Sequence, residues 1–270
     1  PAIRRNGVDD PSKGITVLRT HHAHEVVRCR TPDDLAFVDP HEVGPGELTI
    51  PDLELEPVRQ LAVNGIRELF PGDHDADPIA QWHRWHVDAL EGGVAEPNAM
   101  TLGTIGLDGV PDARIVLVRT ADPTGLVFYT NYESAKSRQL DAQPVASGTF
   151  SWLDLHRQVR LRARVERISD SDSDAYFASR PRPSQLGAWA SPQSDEIDHR
   201  RVLEERLIAF DERFADTEVP RPPQWGGWRL IPFEWEFWQG RPSRLHDRFR
   251  YQRADADAGG STWTVARLAP

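Results

Sequence analysis

Residues 237–248 have the sequence FWQGRPSRLHDR, which is the most informative stretch of the chain about its fold and its chemistry. Two aromatic residues precede a glycine, after which Arg244, His246 and Arg248 alternate along the chain. If the stretch is a strand, these three side chains lie on one face, because side chains alternate between the two faces of a sheet. A face that carries two guanidinium groups and an imidazole suits an anion better than a core. The alternative is a solvated strand edge whose charges pair with acidic residues.

The composition of the 270 residues predicts a soluble globular protein. The formal net charge of -10 argues against nucleic acid as a partner. Cys29 is the only cysteine, so no intrachain disulfide can form, which favours a reducing compartment and a cytoplasmic location. No apolar run approaches the roughly 20 residues that cross a bilayer, and no signal-peptide pattern opens the sequence, so no membrane partner is expected.

Residues 1–72 differ in character from the rest and are predicted to be an N-terminal extension of unknown role. They contain no Trp and no Tyr, with weak strand signals at 15–18 and 35–38 and helical spacing at 58–70. The cluster of His21, His22 and His24 lacks further ligands at metal spacing, so it favours a solvated loop and no metal site is predicted. Residues 73–270 are expected to form one domain.

The pattern over residues 73–270 predicts an antiparallel barrel with flanking helices, because short strands follow one another through tight turns. Asp77 and Pro78 begin a helix that ends at Gly92 and Gly93. The predicted strands are 99–105, 113–119, 126–130, 145–152, 159–168, 227–231, 234–238, 244–252 and 262–268. The further predicted helices are 134–140, 171–179, 184–190 and 195–214, the last with Val202, Leu203, Leu207, Ile208 and Phe214 on its apolar face.

Several polar residues stand where these elements begin or end. Arg114 and Arg119 close a mostly apolar strand, so each is expected to find a partner. Lys136 begins a short helix, where a cation and free backbone N–H groups together suit a phosphate. Taken singly, each of these residues is a weak signal and is better interpreted as an ordinary polar residue at a strand end.

Their order along the chain carries more information than any one of them. The motifs are RIVLVR (114–119), FYTN (128–131), Lys136, RQV (157–159), YFASRPRPSQLGAWAS (176–191), QS (193–194), WGGWR (225–229), EFWQG (236–240), RLHDRF (244–249), YQR (251–253) and RLAP (267–270). In this order they resemble the pyridoxamine 5'-phosphate oxidase family over residues 77–270. The resemblance implies a mainly β fold with α, an FMN-binding split β-barrel, and a homodimer with FMN at the subunit interface.

The resemblance also implies roles for individual residues. The FMN contacts would be Arg114, Ile115, Val116, Leu117, Val118, Arg119, Tyr129, Thr130, Lys136, Gln158, Gln193, Ser194, Trp238 and Arg248. The substrate phosphate would lie against Arg119, Tyr176, Arg180 and Ser184, and the pyridine ring against the catalytic candidates Arg244 and His246. The implied reaction, in vitamin B6 metabolism, oxidises pyridoxine or pyridoxamine 5'-phosphate to pyridoxal 5'-phosphate, with flavin as hydride acceptor and O2 reduced to H2O2.

Three departures from the family pattern leave other functions open. Arg119 stands where the family usually has Lys, and Ala135 where it usually has a basic residue, for which Arg138 is the nearest substitute. No Tyr precedes Tyr129, so a tyrosine lid ahead of the domain is absent or rebuilt. The alternatives are a related FMN-dependent oxidase of a specialised biosynthetic pathway, acting on another cyclic amine or dihydroaromatic, and a non-catalytic flavin-binding protein.

Overall fold

The structure is a computed structural model that describes residues 74–253 and 262–270, together with the backbone of two short strands. These strands, β1 (Thr16–Leu18) and β2 (Val27–Cys29), pair antiparallel. The chain divides into two units, Pro1–Asn64 and Gly65–Pro270, and the features below belong to the second. The predicted elements at 35–38 and 58–70 and the histidine cluster lie outside the described residues, and the boundary near residue 72 stays a prediction.

The first helix of this unit, α1 (Pro78–Glu91), begins and ends where the sequence predicts. The Asp77 side chain accepts a hydrogen bond from the Ile79 backbone N–H at 3.0 Å, which satisfies one of the free donors of the first turn. Trp82 and Trp85 are buried in the same core as the barrel strands. The helix therefore covers the apolar interior of the barrel.

Six antiparallel strands close into the predicted barrel. In spatial order they are β3 (Ala99–Ile105), β4 (Pro111–Asp122), β5 (Gly125–Asn131), β8 (Trp225–Gln239), β7 (Arg157–Arg167) and β6 (Val145–Trp152), which pairs again with β3. Their inward residues form a core that includes Met100, Phe128, Phe150, Leu161 and Trp235. The mainly β class and the antiparallel barrel that the sequence predicts are confirmed.

The longest strand, β8, corrects the sequence prediction of two strands at 227–231 and 234–238. It runs unbroken over 15 residues through Pro232. Proline has no N–H to donate, and the pairing with β7 shifts register at Arg162 and Ala163, next to Pro232. The first half of β8 pairs with β5, and its second half pairs with β9 (Asp247–Arg253). A last strand, β10 (Trp263–Arg267), pairs with β9 beyond the barrel.

Four more helices lie in the described part of the domain: α2 (Ala135–Ala142), α3 (Asp170–Ser179), α4 (Arg182–Ala190) and α5 (Arg201–Arg213). Helix α5 is shorter than the predicted 195–214, and its predicted apolar face is confirmed only in part: Phe214, just after the helix, is buried and Val202 and Leu203 are half-buried, whereas Leu207 and Ile208 are exposed. None of its residues is buried, and Ile208 is 60% exposed, because the helix contacts the domain mainly through α4. Among the described residues, no helix is long and apolar enough to cross a membrane.

Candidate active site

A cleft of about 430 Å³ opens at the end of β5, between β4, helices α3 and α4 and the first residue of β8. Strand pairing brings these elements together, since Asn131 at the end of β5 pairs directly with Trp225 at the start of β8. Many of the predicted site residues line the cleft: Leu117, Arg119, Tyr129, Thr130, Tyr176, Arg180, Ser184 and Gln193. The structure therefore brings together side chains that are up to 76 residues apart in the chain (117 to 193).

Lys136 lies beside this cleft with only 9% of its surface exposed. Its ammonium Nζ donates to Thr130 Oγ1 at 3.1 Å, Ser134 Oγ at 3.2 Å and Gln193 Oε1 at 3.3 Å. All three acceptors are neutral. Burial, followed by repulsion from Arg114, lowers the pKa of Lys136 to about 8. A buried ammonium without a carboxylate among its hydrogen-bond partners is a site that an anion would stabilise.

Arg114 finds the partners that its position at a strand end predicts. Its guanidinium donates to Gln139 Oε1 at 3.0 Å and to Thr104 Oγ1, and it forms an ion pair with Asp112. Gln139 belongs to α2, the helix whose first turn carries Lys136. Arg114 therefore fixes the start of β4 against the helix beside the cleft.

The strand between Arg114 and Arg119 alternates instead of being mostly buried. Val116 and Val118 face the core, whereas Ile115 is 70% exposed and Leu117 faces the cleft. This corrects the expectation from its four consecutive apolar residues. An exposed Ile on the outer face of a barrel strand leaves apolar surface for a ligand or a second subunit.

The aromatic wall of the cleft comprises Tyr129, Tyr176 and Trp225, with nearly parallel rings. The ring centroids of Tyr129 and Tyr176 are 3.8 Å apart, and those of Tyr129 and Trp225 are 5.4 Å apart. The Arg180 guanidinium carbon lies 4.7 Å from the Trp225 ring centre, within the range of a cation–π contact. Sequence reasoning missed Trp225 as a site residue, although the WGGWR motif that contains it was available as a signal.

The surroundings of the Arg180 guanidinium favour the binding of an anion. Its Nη1 atom is buried and has no hydrogen-bond partner in the described part of the chain, and burial lowers its pKa. Arg119 is close enough to lower that pKa further, and none of the described residues that line the cleft carries a carboxylate. Two cations that repel each other, with the hydroxyls of Tyr176 and Ser184 nearby, favour an anionic ligand.

Of the departures from the family pattern, Ala135 has no replacement in the cleft. Arg138 is exposed and donates to the carbonyl oxygen of Glu133, and it is not among the residues that line the cleft. The cationic groups here are therefore Lys136, Arg114, Arg119 and Arg180.

A second group of predicted residues lies on the outer face of β7, β8 and β9. Gln158, Trp238 and Arg248 are cross-strand neighbours in register. Arg248 donates to Glu236 Oε1 at 2.9 Å and to the Ala269 carbonyl at 2.9 Å. The Arg248 guanidinium, which the resemblance to the family placed at FMN, is therefore paired with the buried Glu236 carboxylate in this structure.

The turn before β9 overturns the alternating strand predicted from Arg244. A short 3₁₀ turn spans Pro242–Arg244, and β9 begins only at Asp247. Ser243 and Arg244 have φ angles of 57° and 61°, which no strand allows. The His246 ring centroid lies 4.6 Å from that of Trp238, and its Nδ1 accepts from the Arg241 backbone N–H at 3.0 Å. His246 thus joins the Gln158, Trp238 and Arg248 group by a turn instead of by strand alternation.

The two groups stay apart within one chain. Trp225, in the cleft, and Trp238, in the second group, lie 13 residues apart on β8, about 43 Å of strand at about 3.3 Å per residue. Moreover, β4 and β7 are three strands apart in either direction around the barrel, so their outer faces point away from each other. A single copy of the chain does not surround one ligand with both groups.

A closed six-stranded antiparallel barrel with a cationic cleft at its edge is the fold of the split-barrel oxidases. Residues 87–211 match the family model described as pyridoxamine 5'-phosphate oxidase, and residues 225–270 match the pyridoxine 5'-phosphate oxidase C-terminal dimerisation region. The pyridoxine/pyridoxamine 5'-phosphate oxidase of Burkholderia multivorans is 56% identical over 211 residues, which cover 78% of this chain and 97% of that protein. Its namesake from Cupriavidus pinatubonensis is 50% identical over 217 residues, covering 80% and 99%.

Solved structures agree with this assignment. PhzG from Burkholderia lata 383, solved in complex with tetrahydrophenazine-1-carboxylic acid, has a TM-score of 0.70 at 32% identity and covers 76% of this chain and 100% of that chain. An FMN-binding protein from Nostoc punctiforme has a TM-score of 0.57 at 20% identity, covering 70% and 97%, and shows the shared fold alone. The chain belongs to the pyridoxamine 5'-phosphate oxidase family. It is an oxidoreductase of the oxidase type, and the match over residues 225–270 supports a homodimer.

Proposed function

We propose that the protein is an FMN-dependent oxidase that converts pyridoxine or pyridoxamine 5'-phosphate to pyridoxal 5'-phosphate, with O2 reduced to H2O2. The observation that carries this proposal is the pair Arg119 and Arg180 on a cleft whose described lining contains no carboxylate, next to a second cationic centre at Lys136. Two separate cationic centres suit two separate phosphate groups, one on a cofactor and one on a substrate.

The Lys136 centre fits the phosphate of FMN. The ammonium and the hydroxyl of Thr130 supply donors, and the first backbone N–H groups of α2 lie at the same place. A phosphate monoester carries about two negative charges above pH 6, which would offset the cost of burying the ammonium. FMN, when bound, supplies the hydride acceptor for the reaction.

The Arg180 centre fits the phosphate of the substrate. The unpartnered Nη1 of Arg180 and the exposed guanidinium of Arg119 can each donate to a phosphate oxygen, and the hydroxyls of Tyr176 and Ser184 add donors without charge. Arg119 replaces the family's usual Lys by a planar fork, which keeps the charge and changes the direction of its donors. Binding energy at this remote phosphate would orient the reacting carbon of the substrate.

The second group completes the site from the partner copy in a homodimer. Because Trp238, Arg248 and His246 lie about 43 Å of strand from the cleft of their own chain, they serve the cleft of the other copy. His246 accepts at Nδ1, so its ring proton is on Nε2, where it can donate to a substituent of a pyridine ring. Arg244, exposed at the tip of the turn, would contact the ring beside it.

A second candidate is an oxidase of a specialised biosynthetic pathway acting on a dihydroaromatic substrate. The 32% identity and TM-score of 0.70 to PhzG, solved with a tetrahydrophenazine carboxylic acid, favour it. The relatives at 50–56% identity, all named pyridoxine/pyridoxamine 5'-phosphate oxidase, favour the first candidate. An anionic carboxylate could occupy the Arg180 centre in place of a phosphate.

An H2O2 assay across a small amine and alcohol panel distinguishes these functions. We expect the purified protein to be yellow and to release H2O2 with pyridoxamine and pyridoxine 5'-phosphates, and far more slowly with the same vitamers lacking phosphate. A flavin-replete sample that is inert to both phosphorylated vitamers would refute the first candidate and leave the second. A colourless protein that cannot be reconstituted with FMN would refute both.

A further inference from the structure

The turn between β8 and β9 adopts a backbone conformation that its own residues disfavour. Ser243 and Arg244 are consecutive non-glycine residues in the left-handed region, with φ of 57° and 61°. Residues in this region persist only where surrounding contacts hold them. Contacts outside the turn must therefore stabilise the conformation in which it presents Arg244 and His246.

Asp247, the first residue of β9, supplies these contacts. Its Oδ2 accepts from Arg241 Nε at 2.7 Å, and its Oδ1 accepts from Arg267 Nη1 at 2.6 Å. The side chains of Asp247 and Arg241 are only 16% and 14% exposed, so water screens this ion pair less than a surface pair. One carboxylate thus joins the first part of the turn, the start of β9 and strand β10.

The ion pair between Asp247 and Arg241 is also linked to the imidazole of His246. The backbone N–H of Arg241, whose side chain Asp247 holds, donates to His246 Nδ1 at 3.0 Å. The ring lies against Trp238 on its other side. Loss of the Asp247 charge would remove one of the interactions that hold Arg241, whose backbone N–H fixes the orientation of His246.

We infer that Asp247 is a positioning residue: it fixes the turn so that Arg244 and His246 point to the substrate ring, without touching the substrate itself. The inference rests on the proposed function in assigning the ring contact to Arg244 and His246. The neighbouring carboxylate of Glu236 holds Arg248 and Arg160 on the strands and forms no contact with the turn. The two carboxylates therefore have separate tasks.

The first test measures the conformation of the turn without reference to activity. Trypsin binds its substrates as extended segments, so we expect slow cleavage after Arg244 while Ser243 and Arg244 keep their left-handed conformation, and the cut between Arg244 and Leu245 is identified by mass spectrometry. For Asp247→Asn in the full-length protein, we expect cleavage here to be about tenfold faster than in wild type, equivalent to about 1.4 kcal/mol. The matched control is Asp141→Asn, which removes an ion pair with Arg167 of 2.7 Å far from the turn. Equal rates in wild type and Asp247→Asn would overturn the inference.

The second test asks whether Asp247 acts through Arg244 and His246. Alone, Asp247→Asn is expected to lower kcat/KM for pyridoxamine 5'-phosphate about tenfold, whereas in a background that carries both Arg244→Ala and His246→Ala it should lower it less than about twofold. A purely structural role would instead give losses that multiply in the combined variant, and this result would refute the inference. Asp247→Glu keeps the negative charge, so we expect it to retain most of the activity. If the Asn variant does not fold, Arg267→Gln replaces it, because it removes one of the two ion pairs of Asp247 and should give a smaller loss in the same direction.

The two proposals fail in different ways. If the wild-type protein with FMN oxidises neither phosphorylated vitamer, the proposed function is wrong, and the trypsin measurement alone decides whether Asp247 fixes the turn. If wild type is active but Asp247→Asn keeps both full kcat/KM and slow cleavage, the positioning role is wrong and the proposed function stands.

Discussion

Lys136→Met should weaken FMN binding and at the same time stabilise the flavin-free protein. In the folded chain burial lowers the pKa of Lys136 from 10.5 to about 8. At about 1.36 kcal/mol per pKa unit, keeping the ammonium charged at pH 7 costs the flavin-free fold about 3 kcal/mol. Methionine has a similar length and no charge, so the variant avoids that cost. The same substitution removes a charge-assisted contact to phosphate worth about 1.5–3 kcal/mol, so the Kd for FMN should rise about 10- to 100-fold.

The pH dependence of the stability of the flavin-free protein and that of its FMN affinity both follow from the pKa of Lys136. Between pH 8 and 10.5 the unfolded wild-type chain binds more protons at Lys136 than the folded chain, so flavin-free wild type should gain stability as pH rises. FMN affinity should move in the opposite direction, weakening by up to about tenfold per pH unit above about 8, because binding then requires proton uptake. Lys136→Arg keeps its charge throughout this range and should bind FMN with little pH dependence.

Flavin fluorescence quenching at pH 7, 8 and 9.5 measures the affinities, and urea unfolding of the flavin-free proteins measures the stabilities. Riboflavin, which lacks the phosphate, is the matched ligand control and should bind wild type and Lys136→Met with similar affinity. The reasoning is refuted if Lys136→Met binds FMN as tightly as wild type, or if its affinity falls above pH 8 as steeply as that of wild type.

Three further predictions concern the other parts of the site. Arg180→Ala should raise the KM for pyridoxamine 5'-phosphate at least about 10-fold in initial-rate assays while flavin absorbance stays unchanged; a parallel loss of flavin would place Arg180 at the cofactor instead. Arg244→Ala should lower turnover far more than flavin content, and equal losses of both would contradict its contact with the substrate ring. Ile115→Glu should convert the dimer to a monomer in sedimentation experiments with little change in the unfolding midpoint of the chain, because Ile115 is 70% exposed; a dimer that persists would show that this face of β4 is not buried between subunits.

Strands with a clear alternation were predictable from the sequence to the residue. The bounds of β3 and β6 match the predicted ones, and the cap at Asp77 marks the true start of α1. The local sequence was sufficient to predict these elements, because the tertiary contacts around them favour the same secondary structure as the local sequence does. Pro232 misled the prediction of β8, since a proline inside a strand ordinarily argues against its continuation and only the register shift opposite makes it acceptable here.

The shape of the candidate site depends on contacts that no local pattern encodes. The left-handed backbone at Ser243 and Arg244 lacks the glycine that usually signals it, so the turn could not be distinguished from an alternating strand. Trp225 reads as a core aromatic until the packing of Arg180 against its ring is known. Residue types and their order along the chain predicted the candidate site residues, but not which of them meet within one chain.

The length of β8 has a genetic consequence. Because one strand carries a cleft residue at its beginning and a residue of the second group near its end, each catalytic centre of the proposed homodimer would take one half from each polypeptide. A cell that carries one allele damaged at the cleft and another damaged at the turn would make mixed dimers in which one centre is assembled entirely from intact halves. With random pairing, about a quarter of all centres are restored, although neither allele alone yields a working enzyme.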